Sequence, residues 1–273
     1  MALRGVILDL DGTVYRGEEA VPGAAETIRG LHARGMTIRY VTNRANRPGS
    51  EVRDQLLAMG LACGPDDVIT SADATADFLE PGPVYVIGEN GLLEALDRRG
   101  FVIDAASART VIVSYDRGFT YDKLAIATRL IGNGARFVAT NADRALRIAS
   151  GLVPGTGSLV AAVETATGVK PLIVGKPERL IFDITLRSMG LSAENVVAVG
   201  DNLDTDIPAG AAAGIRTAFI LTGVSTRADL ARTSVAPTWV VEDYTELRRV
   251  LEASGVPIET VISGSILSIA SWN

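Results

Sequence analysis

The stretch Val6-Ile7-Leu8-Asp9-Leu10-Asp11-Gly12-Thr13 decides both the fold and the site of this chain. The aliphatic run Gly5–Leu10 reads as a strand buried on both faces, because parallel strands covered by helices are near-continuous Val/Ile/Leu segments. This strand runs into carboxylates. Asp9 and Asp11 are two residues apart, so an extended backbone sends both side chains to one side. Open α/β sheets place their ligands at the C-terminal ends of their strands. Gly12 then allows a tight turn. Like charges this close repel unless a proton or a cation intervenes. Mg²⁺ suits that role, since it takes oxygen ligands and combines one or two carboxylates with phosphate. A solvated turn or a helix N-cap has the same Asp-x-Asp spacing, so this stretch alone leaves both readings open.

Outward from this strand, short aliphatic runs alternate with helical patterns. A helix is expected near Ala24–Arg34, a strand at Thr37–Thr42, and a helix near Glu51–Met59 stopped by Gly60. Later strands read as Leu172–Val174, Val196–Val199, Thr217–Leu221 and Trp239–Val241. The alternation predicts an α/β fold: a Rossmann-like, doubly wound parallel sheet with helices on both faces. The middle of the chain reads as a second unit. Pro81-Gly82-Pro83 breaks the chain after a helix near Ala72–Leu79. Strands at Val84–Ile87, Phe101–Ile103 and Val111–Ser114, a helix near Lys123–Ile131 and a strand at Phe137–Thr140 follow. Residues 83–170 are therefore expected as an inserted α/β domain, with residues 1–82 and 171–273 forming the core domain. Two crossings between the units would make a hinge pair.

Composition bounds the function. With 273 residues, the chain has room for about two domains at roughly 150 residues each. Hydrophobic residues make up 47% and charged residues 21%, which excludes intrinsic disorder. The net charge of -6 lacks the basic footprint of a nucleic-acid binder, so no nucleic-acid partner is expected. No apolar run reaches the ~18–20 residues of a membrane span, and the apolar segment Val261–Asn273 is too short. Cys63 is the single cysteine, which excludes an internal disulfide and suggests a reducing compartment. A basic leader followed by an apolar run is not seen at the start. A soluble, cytoplasmic protein is the expectation.

Other strand ends carry chemistry too. Thr42-Asn43 closes the second strand, where a hydroxyl and backbone N–H groups can bind phosphate oxygens; ordinary turn chemistry uses the same residues. Arg44 beside them is either a cation for the phosphate or a solvent-facing side chain. Lys176 in Gly175-Lys176-Pro177 is a compact positive charge able to steady a carboxylate and a phosphate, against the common fate of an exposed surface lysine. Gly200-Asp201-Asn202-Leu203-Asp204-Thr205-Asp206-Ile207 again runs from a buried strand into carboxylates, and Asp201 is well placed as a third protein group on a metal. An Asp-rich turn entering a helix has the same residues. His32, the single histidine, is expected to pack on a helix or face solvent, and Cys63 to be a structural thiol. The Gly155-Thr156-Gly157 turn either cradles a phosphate at a helix N-terminus or packs a helix of the inserted unit, and the second is the expectation. Asp143, Arg144 and Arg147 are either substrate-facing or a solvated charge cluster.

The string Asp9-Leu10-Asp11-Gly12-Thr13-Val14-Tyr15 resembles the first motif of the haloacid dehalogenase-like (HAD) hydrolases, and with Gly17 it is similar to the NagD/para-nitrophenylphosphatase branch, subfamily IIA. Thr42-Asn43, Lys176 and Gly200–Ile207 resemble the second, third and fourth motifs, in family order and each at a strand end. Phe137–Asn141 and Gly151–Leu159 also look like this branch. The resemblance runs from Val6 to about Tyr244. It implies a HAD-like core whose inserted unit is a cap. It implies Asp9 as nucleophile and Asp11 as general acid and base. Thr42 and Asn43 become phosphate contacts, and Lys176 holds the nucleophile and the transferring phosphoryl group. Mg²⁺ falls to Asp9, the backbone carbonyl of Asp11, and Asp201, with Asp206 and Asn202 orienting ligands or water. The chain departs from the family at Arg44-Ala45, where Asn and Ser are usual, and at Ala142, where Pro is frequent. The resulting expectation is a Mg²⁺-dependent phosphatase acting on a small-molecule phosphomonoester through an aspartyl-phosphate. A phosphotransferase or mutase of the same superfamily, and a non-catalytic phosphometabolite sensor, are the alternatives. A homodimer through the cap is compatible with the branch.

Overall fold

The computed structural model describes residues 3–148 and 151–255. The expected apolar tail, Val261–Asn273, lies outside the described residues.

In chain order the first run comprises β1 (Gly5–Leu8), a small antiparallel hairpin of β2 (Tyr15–Arg16) and β3 (Glu19–Ala20), α1 (Ala24–Ala33), β4 (Thr37–Thr42), α2 (Gly49–Ala58), β5 (Val68–Thr70) and α3 (Ser71–Phe78). The second run holds β6 (Pro83–Ile87), α4 (Asn90–Arg98), β7 (Val102–Ile103), β8 (Thr110–Val113), α5 (Tyr121–Gly132) and β9 (Arg136–Ala139). It continues with an antiparallel hairpin of β10 (Ala145–Ile148) and β11 (Gly151–Pro154), then α6 (Thr156–Thr167) and β12 (Leu172–Ile173). The last run is α7 (Leu180–Met189), β13 (Val196–Gly200), α8 (Asp206–Ala212), β14 (Arg216–Ile220), β15 (Trp239–Val241) and α9 (Tyr244–Ala253).

The sequence of β1 is buried at every position, as expected of a central parallel strand. It lies between β13 and β4 in an all-parallel sheet of order β15-β14-β13-β1-β4-β5. Leu8 faces Val199 on one side and Tyr40 on the other. The chain leaves β1 toward β4 and later returns on the opposite side at β13. That reversal opens a crevice at the C-terminal ends of these three strands. The doubly wound α/β architecture is thus the observed one.

The middle of the chain builds a second all-parallel sheet, of order β12-β9-β8-β6-β7. Here one expectation is corrected. Leu172–Val174 was expected to open the second half of the core sheet, after a boundary at 170/171. Instead Leu172 pairs with Val138 and Ile173 with Ala139, at the edge of the second sheet. A three-residue aliphatic run is compatible with either sheet, and only the tertiary partner chooses. The consequence is that Lys176 follows a strand of the second sheet, while Asp9 and Asp201 follow strands of the first.

The units share a core. One buried cluster joins Ile7, Val41 and Ala198 of the first sheet and Ala72 and Ala76 of α3 to Val84, Ile112 and Val138 of the second sheet and Leu92 and Leu96 of α4. The helix α3 starts at a capping box in which the Thr70 hydroxyl accepts the Asp73 N–H and the Asp73 carboxylate accepts the Thr70 N–H. At the surface, Asp73 and Asp77 of α3 pair with Arg98 of α4 and the adjoining Arg99, which adds little beside the apolar contact. Because Leu96 is fully buried in this shared cluster, Leu96→Ala should cost about 2–5 kcal/mol. A urea titration should show this as a lower midpoint of one transition. Separate unfolding of the second sheet would contradict the shared core.

Candidate active site

The C-terminal ends of both sheets face one cavity of about 1660 Å³. The first sheet contributes Asp9 and Asp11 after β1, Thr42, Asn43 and Arg44 at the end of β4, and Asp201 and Asn202 after β13. The second sheet contributes Glu89 after β6, Asp116 and Arg117 after β8, Asn141 and Asp143 after β9, and Lys176 after β12.

At its floor, Asp9, Asp201 and Asp206 each present a carboxylate oxygen within 4.8 Å of the other two. Into this group reaches Lys176, whose Nζ donates to Asp9 Oδ1 at 2.5 Å, Asp206 Oδ1 at 2.7 Å and the Val41 carbonyl at 3.3 Å. Lys176 is 3% exposed, which excludes the surface-lysine reading. Asp201 accepts the Thr13 hydroxyl at 3.0 Å and the Val224 N–H at 2.5 Å. Asp206 accepts the Asn202 N–H at 3.1 Å. Two glycines make room for Asp201. Gly12 has φ +90°, and a Cβ there would sit 2.5 Å from Asp201 Oδ2. A Cβ on Gly223 would overlap the same carboxylate. Thr13, Gly223 and Val224 were not expected from sequence. Their signal was faint: Thr222-Gly223 ends an aliphatic strand, as Gly12 and Gly200 attend the other two.

Burial pushes the Asp9 carboxyl up to about 7, against the pull of Lys176 and with the help of Asp201. It pushes Asp206 up to about 6, with the Asp9 charge adding to the effect. Asp201 is raised for the same reasons, burial first and then Asp206. Burial disfavours the Lys176 ammonium, but Asp206 and Asp9 outweigh it and hold the group above the ordinary lysine range. Three carboxylates face one ammonium, so the group carries excess negative charge. An all-oxygen donor set of this kind suits a hard cation.

The Asp11 side chain is not part of this trio. Its Oδ1 accepts Arg44 Nη2 at 3.1 Å and its Oδ2 accepts the Tyr15 hydroxyl at 3.3 Å, at the half-exposed rim of the cavity. Arg44 thus pairs with Asp11 and is not a free solvent-facing cation. The buried Thr42 hydroxyl accepts the Arg44 N–H at 3.1 Å, which leaves its own hydrogen to donate. Asn43 turns its amide away, onto the Lys176 backbone and Asp143. Asp143 and Arg144 line the cavity. Arg147 lies on β10. His32 lies on α1 and Cys63 follows α2 at Ala62-Cys63-Gly64, and neither lines the cavity. Burial pushes the Cys63 thiol up to about 12, away from the thiolate form that attacks. The Gly155-Thr156-Gly157 turn opens α6 and packs its start against residues 142–144.

Comparison with known proteins agrees with this geometry. Residues 6–102 match the haloacid dehalogenase-like hydrolase family, and residues 173–247 match a HAD-hydrolase-like family. A 5'-nucleotidase of Bacillus subtilis, YutF, is 38% identical over 247 residues, covering 89% of this chain and 96% of that protein. An acid sugar phosphatase of Staphylococcus saprophyticus is 39% identical over 254 residues, covering 91% and 98%. The solved structure of NagD from E. coli K-12 superimposes with a TM-score of 0.86 at 36% identity, covering 90% of this chain and 98% of NagD. Among the described residues, no helix is long and apolar enough to cross a membrane. The chain belongs to the haloacid dehalogenase-like hydrolases, in their NagD-like branch, and is a hydrolase of phosphoric monoesters.

Proposed function

We propose that this chain is a Mg²⁺-dependent phosphatase that releases phosphate from a small-molecule phosphomonoester through an aspartyl-phosphate on Asp9. One observation carries the reading. The Lys176 ammonium contacts Asp9 at the mouth of β1, inside a group of carboxylates that open on a cavity. A dianionic ester cannot approach that group unaided, because three carboxylates oppose one ammonium. Asp9 and Asp201, with the backbone carbonyl of Asp11, would hold Mg²⁺, and Asp206 and Asn202 would orient that set. When bound, the ion supplies charge neutralisation for the phosphoryl group.

The chain's own residues do the rest. The Asp9 carboxylate attacks phosphorus, and the bond from phosphorus to the ester oxygen breaks. Lys176 orients Asp9 and offsets charge on the phosphoryl oxygens, and the Thr42 hydroxyl donates to one of them. Asp11 gives its proton to the departing alkoxide. It then takes a proton from the water that attacks the aspartyl-phosphate, which returns Asp9 and frees inorganic phosphate. Arg44 and Tyr15 both donate to the Asp11 oxygens, the arrangement of the step in which Asp11 takes the proton of water. The unit that begins at Pro83 acts as the cap, walling the cavity from above and meeting the leaving group. The relatives named as a nucleotidase and a sugar phosphatase make nucleoside monophosphates and sugar phosphates the first classes to screen. The single thiol fits a cytoplasmic location.

Asp9→Asn should abolish hydrolysis of para-nitrophenyl phosphate; a variant with near-normal turnover rules out Asp9 as nucleophile. Asp11→Asn should lose roughly 10²–10⁴-fold on an ester with a poor leaving group, the usual worth of general acid–base catalysis. A third test uses pH. Asp9 moves from 3.8 to about 7 on folding, so between about pH 4 and 7 the metal-free folded state binds more protons than the unfolded chain. Stability therefore falls as pH rises through that window, and a bound divalent cation offsets the loss. Thermal midpoints with EDTA and with Mg²⁺ should diverge increasingly from pH 5 to pH 8. Parallel curves would contradict a metal held by these carboxylates.

A further inference from the structure

Asn43 stands next to the phosphate-side hydroxyl of Thr42, yet its amide is fully engaged elsewhere. Its Oδ1 accepts the Lys176 N–H at 2.9 Å, and its Nδ2 donates to the Lys176 carbonyl oxygen at 2.9 Å. The second Nδ2 hydrogen goes to the Asp143 carboxylate, both oxygens of which lie at 3.2 Å. Both donors and the oxygen of the amide are thus used. The Asn43 backbone is fixed as well: its carbonyl accepts the Ser71 hydroxyl at 2.6 Å and Asn141 Nδ2 at 2.8 Å. Asn141 Oδ1 in turn accepts the Asp143 N–H at 3.1 Å. The result is a closed ring of hydrogen bonds through Asn43, Asn141 and Asp143.

The ring is braced from behind. Gly157 N–H donates to the Asp143 carbonyl at 2.9 Å and Gly155 N–H to the Arg144 carbonyl at 3.0 Å, at the start of α6. A Cβ on Gly155 would overlap the Asp143 carbonyl, so α6 abuts this loop directly. On the other side, a Cβ on Gly175 would sit 2.6 Å from both Asn43 Oδ1 and the Thr140 carbonyl.

This arrangement answers a problem that the topology creates. Lys176 extends the edge strand of the second sheet, and its partner Asp9 extends the central strand of the first. A lysine stem is long and flexible, so its root must be fixed for the ammonium to rest at one place. Asn43, at the end of β4, grips that root through both peptide groups' polar atoms. We propose that Asn43, braced by Asp143, is a positioning residue that sets the Lys176 ammonium on Asp9 by locking the edge of the second sheet to the first. The proposal rests on the phosphatase reading above. An aspartate would not serve at 43, because one of its oxygens would face both the Lys176 carbonyl and the Asp143 carboxylate.

The test is a double-mutant cycle on para-nitrophenyl phosphate with saturating Mg²⁺, using Asn43→Ala, Asn43→Asp, Lys176→Met and Asn43→Ala/Lys176→Met, each checked by its thermal midpoint. Misplacing a catalytic group by about 1 Å costs up to ~10²-fold, so Asn43→Ala and Asn43→Asp should each lose about 10–100-fold in kcat with KM moving less than about threefold. In the Lys176→Met background, Asn43→Ala should cost less than about twofold, because the group it positions is gone. Asp143→Asn, whose amide oxygen still accepts the Asn43 hydrogen, should lose less than Asp143→Ala. An equal loss in both Lys176 backgrounds, a change in KM alone, or normal kcat in Asn43→Ala overturns the proposal. If the Asn43 variants do not fold, the Asp143 pair run through the same Lys176 cycle decides on the same terms. A wild-type chain that hydrolyses no phosphomonoester overturns the phosphatase reading itself. Normal wild-type turnover with an unaffected Asn43→Ala overturns only the positioning role.

Discussion

Everything in the site depends on one buried ammonium among carboxylates. Lys176, 3% exposed, contacts Asp9 and Asp206. Removing charges from water is expensive, and the ammonium is held there only because the acidic groups around it repay that cost. The acids are less well served. Their charge exceeds that of Lys176, and burial raises Asp9, Asp206 and Asp201 together. The site therefore holds excess negative charge that a bound divalent cation would relieve. Crowding of this kind belongs to a functional cavity, where stability is sacrificed for chemistry.

The two parallel sheets make that crowding possible. Each directs its strand ends into the same cavity, and neither holds the whole site. The first supplies Asp9, Thr42 and Asp201; the second supplies Lys176 and Asp143. A continuous apolar cluster through α3 and α4 holds the sheets in register, and the ring around Asn43 repeats that link in polar form at the cavity itself. The apolar contact fixes where the units sit, to the precision of packed side chains. Hydrogen bonds with directional donors and acceptors then fix where one ammonium lies.

Arg44 ties the turn after β4 to the turn after β1, through its pair with the Asp11 carboxylate at the rim. That pair is half exposed, so its own contribution to stability is small. Its effect is orientation, shared with the Tyr15 hydroxyl on the other Asp11 oxygen.

The sequence by itself determined the strand-and-helix alternation, the buried β1 and β13, and the acidic residues at their ends. It did so because an aliphatic run that stops at Asp is legible locally: the residues that build the strand and those that end it are neighbours. It also singled out Lys176, through its place after a short apolar run. It did not reveal that Leu172–Ile173 joins the second sheet, that the Asp11 side chain leaves the acidic trio for Arg44 and Tyr15, or that the Asn43 amide binds Lys176 rather than facing outward. It carried only a faint signal of Thr13, Gly223 and Val224 around Asp201. Apart from the Tyr15–Asp11 bond, four positions apart, those facts are contacts between residues roughly twenty to two hundred positions apart. Only the closed tertiary structure decides them, since hydrogen-bond partners and sheet edges are chosen by three-dimensional proximity and not by residue type.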